Sequence, residues 1–262
     1  MVSTWSLSYK ELYLLNQLLE GNEWIGINDP FIGNTDEEMK DEWKQALKDL
    51  SNRGLVKMTD DELIFEDEFI HAVWIIAKSN LIAEIETDFL EQSQFFFGDD
   101  KVIECMKETE ERVTVYAHPT HELAFNQVIY PRLLMGVEHL ETRLDESFHI
   151  RTSEYEDYCA QGMINDKDRL KEETGSTLMV DQFNRAIQRR RHTNRLMVFY
   201  KQESSWNIEG VHLLSSPSYN WALRMVTRDG TEWLQVKQVA GMDLLNEIGG
   251  AFNRVKGKQT VH

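Results

Sequence analysis

The stretch Leu81-Ile82-Ala83-Glu84-Ile85-Glu86-Thr87-Asp88-Phe89 decides the fold. Ala83, Ile85, Thr87 and Phe89 alternate with Glu84, Glu86 and Asp88, a period of two that predicts a strand with one buried and one wet, acidic face. Three more short strands follow, at 94–97, 101–107 and 112–117, with turns at Gly98-Asp99-Asp100 and at 108–111. Four short strands on short turns read as an antiparallel meander.

Upstream of this stretch the period is 3.6. Ser8-Tyr9-Lys10-Glu11 is a capping-box signature, followed by Leu12, Leu15, Leu18 and Leu19 on one apolar face and a stop at Gly21. Thr35-Asp36-Glu37-Glu38 repeats the box, and Met39, Trp43, Ala46, Leu47 and Leu50 mark a second helix closing at Gly54. Its acids come first and its bases last, as the helix dipole prefers. A third helix runs from about 67 to 79 through Phe69, Ile70, Val73, Trp74 and Ala77.

Downstream the chain returns to helix over 119–192. Leu133, Val137, Leu140 and Leu144 fit one helical face, with a break at Pro131, and Leu178, Phe183 and Ile187 lie on a later, shorter helix. The stretch 154–175 is polar and poorly periodic, and is expected to be partly mobile. A second strand block occupies 195–202, 206–214, 219–228 and 231–239, with Asp229-Gly230 a two-residue hairpin signal. Leu244, Leu245, Ile248 and Phe252 belong to a final helix over 242–252.

The predicted fold is α+β with a largely antiparallel sheet. A helical start (1–80), a first meander (81–117), a helical middle (118–194), a second meander (195–240) and a C-terminal helix and tail (241–262) form one domain over 1–262.

Charge is distributed unevenly. Residues 1–131 carry 10 Lys and Arg against 27 Asp and Glu, and residues 132–262 carry 18 of each. Within the acidic half, a helix, the run Asn52–Val56 and a short apolar strand at 63–65 resemble the end of a winged-helix unit. So acidic a surface repels a phosphate backbone, so this unit is read as packing and no nucleic-acid partner is expected. The apolar runs are too short to cross a bilayer, and no signal peptide is evident. Cys105 and Cys159 lack a C-x-x-C spacing and read as buried thiols of a cytoplasmic protein.

No cluster reads as an active site. His118, His121 and Glu122 are potential metal ligands, but Pro119 interrupts their spacing and no further ligand stands at a recognisable interval, so a strand end and a helix start explain them more simply. No metal, cofactor or catalytic residue is expected. Gly-rich phosphate loops and the G-x-S-x-G elbow are absent, and Asp60-Asp61 and Asp99-Asp100 read as turns. Arg189, Arg190 and Arg191 are the one basic concentration, either complementing a helix C-terminus or gripping phosphate or an acidic partner. In Phe95-Phe96-Phe97 neighbouring rings point to opposite faces, so the run is either core on both faces or an exposed contact.

The run Leu50-Ser51-Asn52-Arg53-Gly54-Leu55-Val56, and the helix–sheet–helix–sheet–helix order around it, resemble the EspG-type chaperones of type VII secretion and the related EsaE-type proteins. That resemblance implies a non-catalytic cytosolic chaperone or adaptor. Its partner would be a helical-hairpin secretion substrate of the WXG, PE/PPE or LXG kind, kept soluble for export. The partner-binding surface would then draw on Phe97, Gly98, Asp99 and Asp100 and on Leu244, Leu245, Ile248 and Phe252. A winged-helix transcriptional regulator is the alternative reading.

Overall fold

The structure is a computed structural model that describes residues 2–25, 29–59, 62–90, 92–140 and 143–259, with side chains to 256. Asp60 and Asp61, read as a turn, lie outside the described residues. The chain divides into two compact units, one formed by Met1–Ile82 and Glu91–Ala124, the other by Ala83–Leu90 and Phe125–His262.

The first unit begins with a strand the helical pattern concealed. β1 (Ser3–Ser8) leads directly into α1 (Tyr9–Leu18), followed by α2 (Asp36–Asn52), the small hairpin β2 (Val56–Met58) and β3 (Leu63–Phe65), and α3 (Asp67–Lys78). β4 (Leu81–Thr87) carries the chain across the boundary between units. β5 (Ser93–Phe97), β6 (Val102–Lys107), β7 (Arg112–His118) and the single turn α4 (His121–Ala124) complete the unit. Its strands lie in the order β1-β7-β6-β5, and all three pairings are antiparallel.

Both capping boxes form. The Ser8 amide donates to Glu11 Oε2 at 2.8 Å and the Glu11 amide donates to Ser8 Oγ at 3.1 Å; Thr35 and Glu38 repeat the exchange at 2.7 and 3.3 Å. Leu12, Leu15, Leu50, Phe69 and Val73 are buried.

The second unit contains β4 from Ala83 onward, a π-helical turn at Phe125–Ile129, α5 (Tyr130–Leu133), β8 (Ser147–Arg151), α6 (Thr152–Gln161), α7 (Lys167–Thr174) and α8 (Thr177–Gln188). It continues through β9 (His192–Gln202), β10 (Ser205–Ser215), β11 (Asn220–Arg228) and β12 (Thr231–Val239) to α9 (Met242–Gln259). Its strand order is β4-β9-β10-β11-β12-β8, with β9 to β12 an antiparallel meander and β8 antiparallel at the edge. Asp229 and Gly230 both take positive φ, as the tight hairpin between β11 and β12 requires. One core joins the sheet to the helices over it through Phe148, Ile150, Tyr155, Leu170, Phe183 and Trp221.

Two expectations are corrected. Glu84 was expected on a wet face, yet it is 7% exposed and faces the guanidinium of Arg195 at 3.7 Å, while Arg195 also pairs with Glu86. Leu133 and Leu144 do not share a helix: α5 ends at Leu133, and the described chain to Glu146 is irregular apart from its turns. Residues 154–175, polar and poorly periodic in sequence, are mostly α6 and α7, tied together by Arg169, which bonds to Asp166, to Glu154 at 2.8 Å and to Glu173 at 2.9 Å. Both cysteines are free, Cys105 buried and Cys159 half-buried.

Candidate functional site: two docking surfaces

The first surface is the β5–β6 turn. The Gly98 amide donates to Lys101 O at 2.9 Å, and the Gly98 carbonyl accepts from His121 Nε2 at 2.8 Å. That contact makes Nε2 the protonated ring nitrogen. Phe97 meets the His121 ring edge-on at 5.7 Å, and its carbonyl lies 3.1 Å from Ser79 Oγ. A Cβ on Gly98 would stand 3.0 Å from two side-chain carbons of Ile75, so α3 approaches the turn closely there. The turn is therefore held rigidly from both sides. It presents Asp99 and Asp100, both exposed, whereas Phe97 is 8% exposed and is a packing residue in this chain.

Beside the turn lies a buried polar group. Glu104 is 1% exposed, its Oε2 lies 2.9 Å from His118 Nε2, and its Oε1 accepts from Ser93 Oγ at 3.2 Å. In a hydrolytic triad the histidine stands between serine and carboxylate; here the carboxylate stands between them, so the imidazole cannot take the serine proton. The arrangement clamps β5, β6 and β7 together. His118 and His121 thus serve separate partners, Glu122 is exposed, and no group of metal-ligating side chains occurs among the described residues.

The second surface is the outer face of α9. Leu244, Ile248, Ala251, Phe252 and Val255 form a single buried stripe, and Phe252 meets Phe125 edge-on at 4.8 Å. Glu247 pairs with Lys237 at 3.2 Å and Arg254 with Glu209 at 2.9 Å, which fixes the helix to its sheet. Leu245 is half-buried, and Met242, 67% exposed, precedes it. Leu244, Ile248 and Phe252 therefore hold the helix down, and Leu245 remains of the four sequence candidates as a side chain that a partner can reach. Met242 was missed in the sequence because it sits at the helix start, outside the apolar repeat.

The run around Arg53 is also accounted for by packing. Its guanidinium bonds to Glu11 and to the Ser6 carbonyl, joining α2 to α1 and β1. A phosphate would have to displace a carboxylate there, and the first turn of α2 carries Asp36, Glu37 and Glu38. Among the described residues no helix is long and apolar enough to cross a membrane.

No family model matches the chain, and no curated protein matches it. A solved structure does: the Mycobacterium tuberculosis type VII secretion system chaperone EspG5, in complex with the PE25–PPE41 dimer, covers 96% of this chain and 96% of its own with a TM-score of 0.64 at 10% identity. The chain has the fold of the EspG-type chaperones.

Proposed function

We propose that this protein is a non-catalytic chaperone or adaptor of the cytoplasm that binds a helical-hairpin secretion substrate and keeps it soluble for export. The observation that carries the reading is the likeness to EspG5 along nearly the whole of both chains, in a complex whose partner is a PE–PPE dimer. Such a likeness at 10% identity concerns backbone, so the partner of this chain is taken as a class: PE/PPE first, with WXG and LXG proteins as the other helical hairpins. Two surfaces support the role, each on a rigid element. One is the acidic turn at Asp99 and Asp100; the other is the outer face of α9 with Met242 and Leu245.

Co-expression tests the proposal. The full chain is produced with a PE–PPE pair, a WXG protein or an LXG protein encoded in the same genome, and soluble complex is measured after affinity capture of the hairpin. The expected result is one class that becomes soluble and co-purifies only when the chain is present. Asp99→Lys with Asp100→Lys, and separately Leu245→Asp, should each weaken that complex about tenfold or more, the effect of losing an interfacial anchor. Failure of the wild-type chain to hold any of the three classes overturns the proposal. Binding that survives in both folded variants leaves the chaperone reading standing and refutes these surfaces.

A further inference from the structure

A third surface, in the second unit, lies where its sheet opens. The ladder between β10 and β11 runs only from the pair Val211–Arg224 to the pair Ser215–Asn220. On their outer sides both strands stay paired, β10 with β9 from Ser205 onward and β11 with β12 as far as Arg228. The β9–β10 and β11–β12 hairpins therefore part beyond Val211 and Arg224. Between the inner edges over Ser205–Gly210 and Met225–Arg228 there is no ladder. A cleft of about 370 Å³ occupies the parting, lined by Ile208 and Glu209 of β10, by Arg224, Val226 and Thr227 of β11, and by Arg254 of α9. At its apex the thioethers of Met225 and Met197 crowd Gly210, where a Cβ would stand 2.6 and 2.8 Å from their sulfurs.

An open strand edge is a template for another strand, and natural chains blunt such edges with proline or lysine. Neither Ser205–Gly210 nor Met225–Arg228 contains either residue. Two guanidinium groups of the cleft also keep donors to offer. Arg254 gives its Nε to Glu209 Oε2 at 2.9 Å, while its Nη2 is buried with no hydrogen-bond partner among the described residues. Arg224 enters no hydrogen bond or ion pair among those residues. It lies opposite Gln235 in the ladder, and Gln235 lies opposite His149. Arg228, further along the same face of β11, donates to His149 Nε2 at 2.8 Å, so that nitrogen carries no proton. Burial, then Arg228 and Arg224, hold the His149 pKa below the usual histidine value. Of the acids at the cleft, Glu209 is bound to Arg254, and Glu232 stands on the opposite face of β12 from Gln235. No acid is paired with Arg224.

We infer that this cleft receives an extended polypeptide segment of a partner, which pairs with the inner edge of β11 and sets a carboxylate on Arg224. The segment's amides and carbonyls continue the ladder that stops at Arg224, and the buried Arg254 Nη2 is a further donor for one of its oxygens. Arg224 meets the carboxylate as a charge-assisted contact. A phosphate or a nucleic acid can meet the arginine, but it has no run of amides and carbonyls to give the open edge. The inference does not depend on the chaperone reading, which concerns a helical hairpin and other surfaces.

Methionine methyl NMR on the full chain tests it, with Met225 as the reporter at the apex and Met58, Met163 and Met242, exposed elsewhere, as controls. The probe is a pool of hexapeptides with Glu at one central position and Val, Ile or Thr at the others. It is compared with the same pool carrying Lys for Glu, with the Glu pool N-methylated at every amide, and with inorganic phosphate at matched ionic strength. Saturable movement of the Met225 signal is expected with the unmodified Glu pool alone, without matching movement of the three controls. Arg224→Glu should weaken it about tenfold or more, and Arg224→Gln by a smaller factor. Arg190→Glu, an exposed charge elsewhere in the same unit, should leave it unchanged. The methyl spectrum of each variant verifies its fold. Absence of binding, an equal response to the Lys pool, the N-methylated pool or phosphate, unchanged affinity in both Arg224 variants, or equal weakening by Arg190→Glu overturns the inference.

Discussion

Phe183→Ala is expected to remove about 4 kcal/mol of stability, the usual cost of emptying a fully buried aromatic site. Phe183 has no exposed surface and lies on α8, where it meets Phe148 at 5.4 Å and Trp221 at 5.0 Å, both edge-on. Those three rings join α8 to β8 and β11 and stand at the centre of the second unit's core. Truncation leaves a space that rings fixed by their own neighbours cannot close, and two edge-to-face contacts go with it. Urea denaturation at neutral pH is the measurement, with the slope expected to be unchanged and the midpoint lowered. A loss below about 1 kcal/mol would show that the three-ring cluster does not organise this core. The same titration tests our proposal that the chain folds as one α+β domain: a single shifted transition supports it, and a second, unshifted transition contradicts it.

Acid is expected to weaken the same unit through His212. Its ring lies 5.7 Å from that of Tyr155 in edge-on contact, and burial, with the Arg195 guanidinium as the lesser cause, lowers its pKa to about 4. In the unfolded chain the pKa returns to about 6.5. The folded form therefore resists protonation, so this contribution is complete above pH 6.5 and is lost as pH falls towards 4. By linkage the loss amounts to about 2 kcal/mol at pH 5. His212→Gln removes the titrating group, so the drop in stability between pH 7.5 and pH 5 should be smaller in the variant by roughly that amount. Equal drops in the two proteins would mean that the imidazole is hydrated or protonated in the native state.

Much of the fold was legible because its local signals agree with its tertiary structure. The switch from period 3.6 to period 2 at Leu81, the two capping boxes and Asp229-Gly230 each fell where the structure has the corresponding element. Two of the strands that the sequence reading missed do alternate. In β1, Trp5 and Leu7 lie among Ser and Thr, directly before a strong helix signal; in β8, Phe148 and Ile150 lie between Ser147, His149 and Arg151. Each is an edge strand that pairs with a segment distant in sequence, information that a window of neighbouring residues does not contain. The spacing of Leu133, Val137, Leu140 and Leu144 imitated a helix, but the chain past Leu133 instead turns and passes the His192 ring at Gly136. The burial of Glu84 accompanies its contact with Arg195, and the burial of Phe97 its contact with His121. Exposure at the candidate surfaces was for that reason the least legible property: among the sequence candidates Asp99, Asp100 and Leu245 retained it, while Phe97, Leu244, Ile248 and Phe252 became core.

The proposal that this chain holds a helical hairpin is tested most directly by the mass of the purified complex. Size-exclusion chromatography with light scattering should be run on the full chain mixed with the hairpin protein or pair that co-expression selects. The account predicts a single species with one copy of the chain and one hairpin unit, which separates into its parts when the Leu245→Asp or the Asp99→Lys, Asp100→Lys variant replaces the wild type. Elution of the wild-type chain apart from every PE–PPE, WXG and LXG candidate, at concentrations where a micromolar complex would persist, would contradict it.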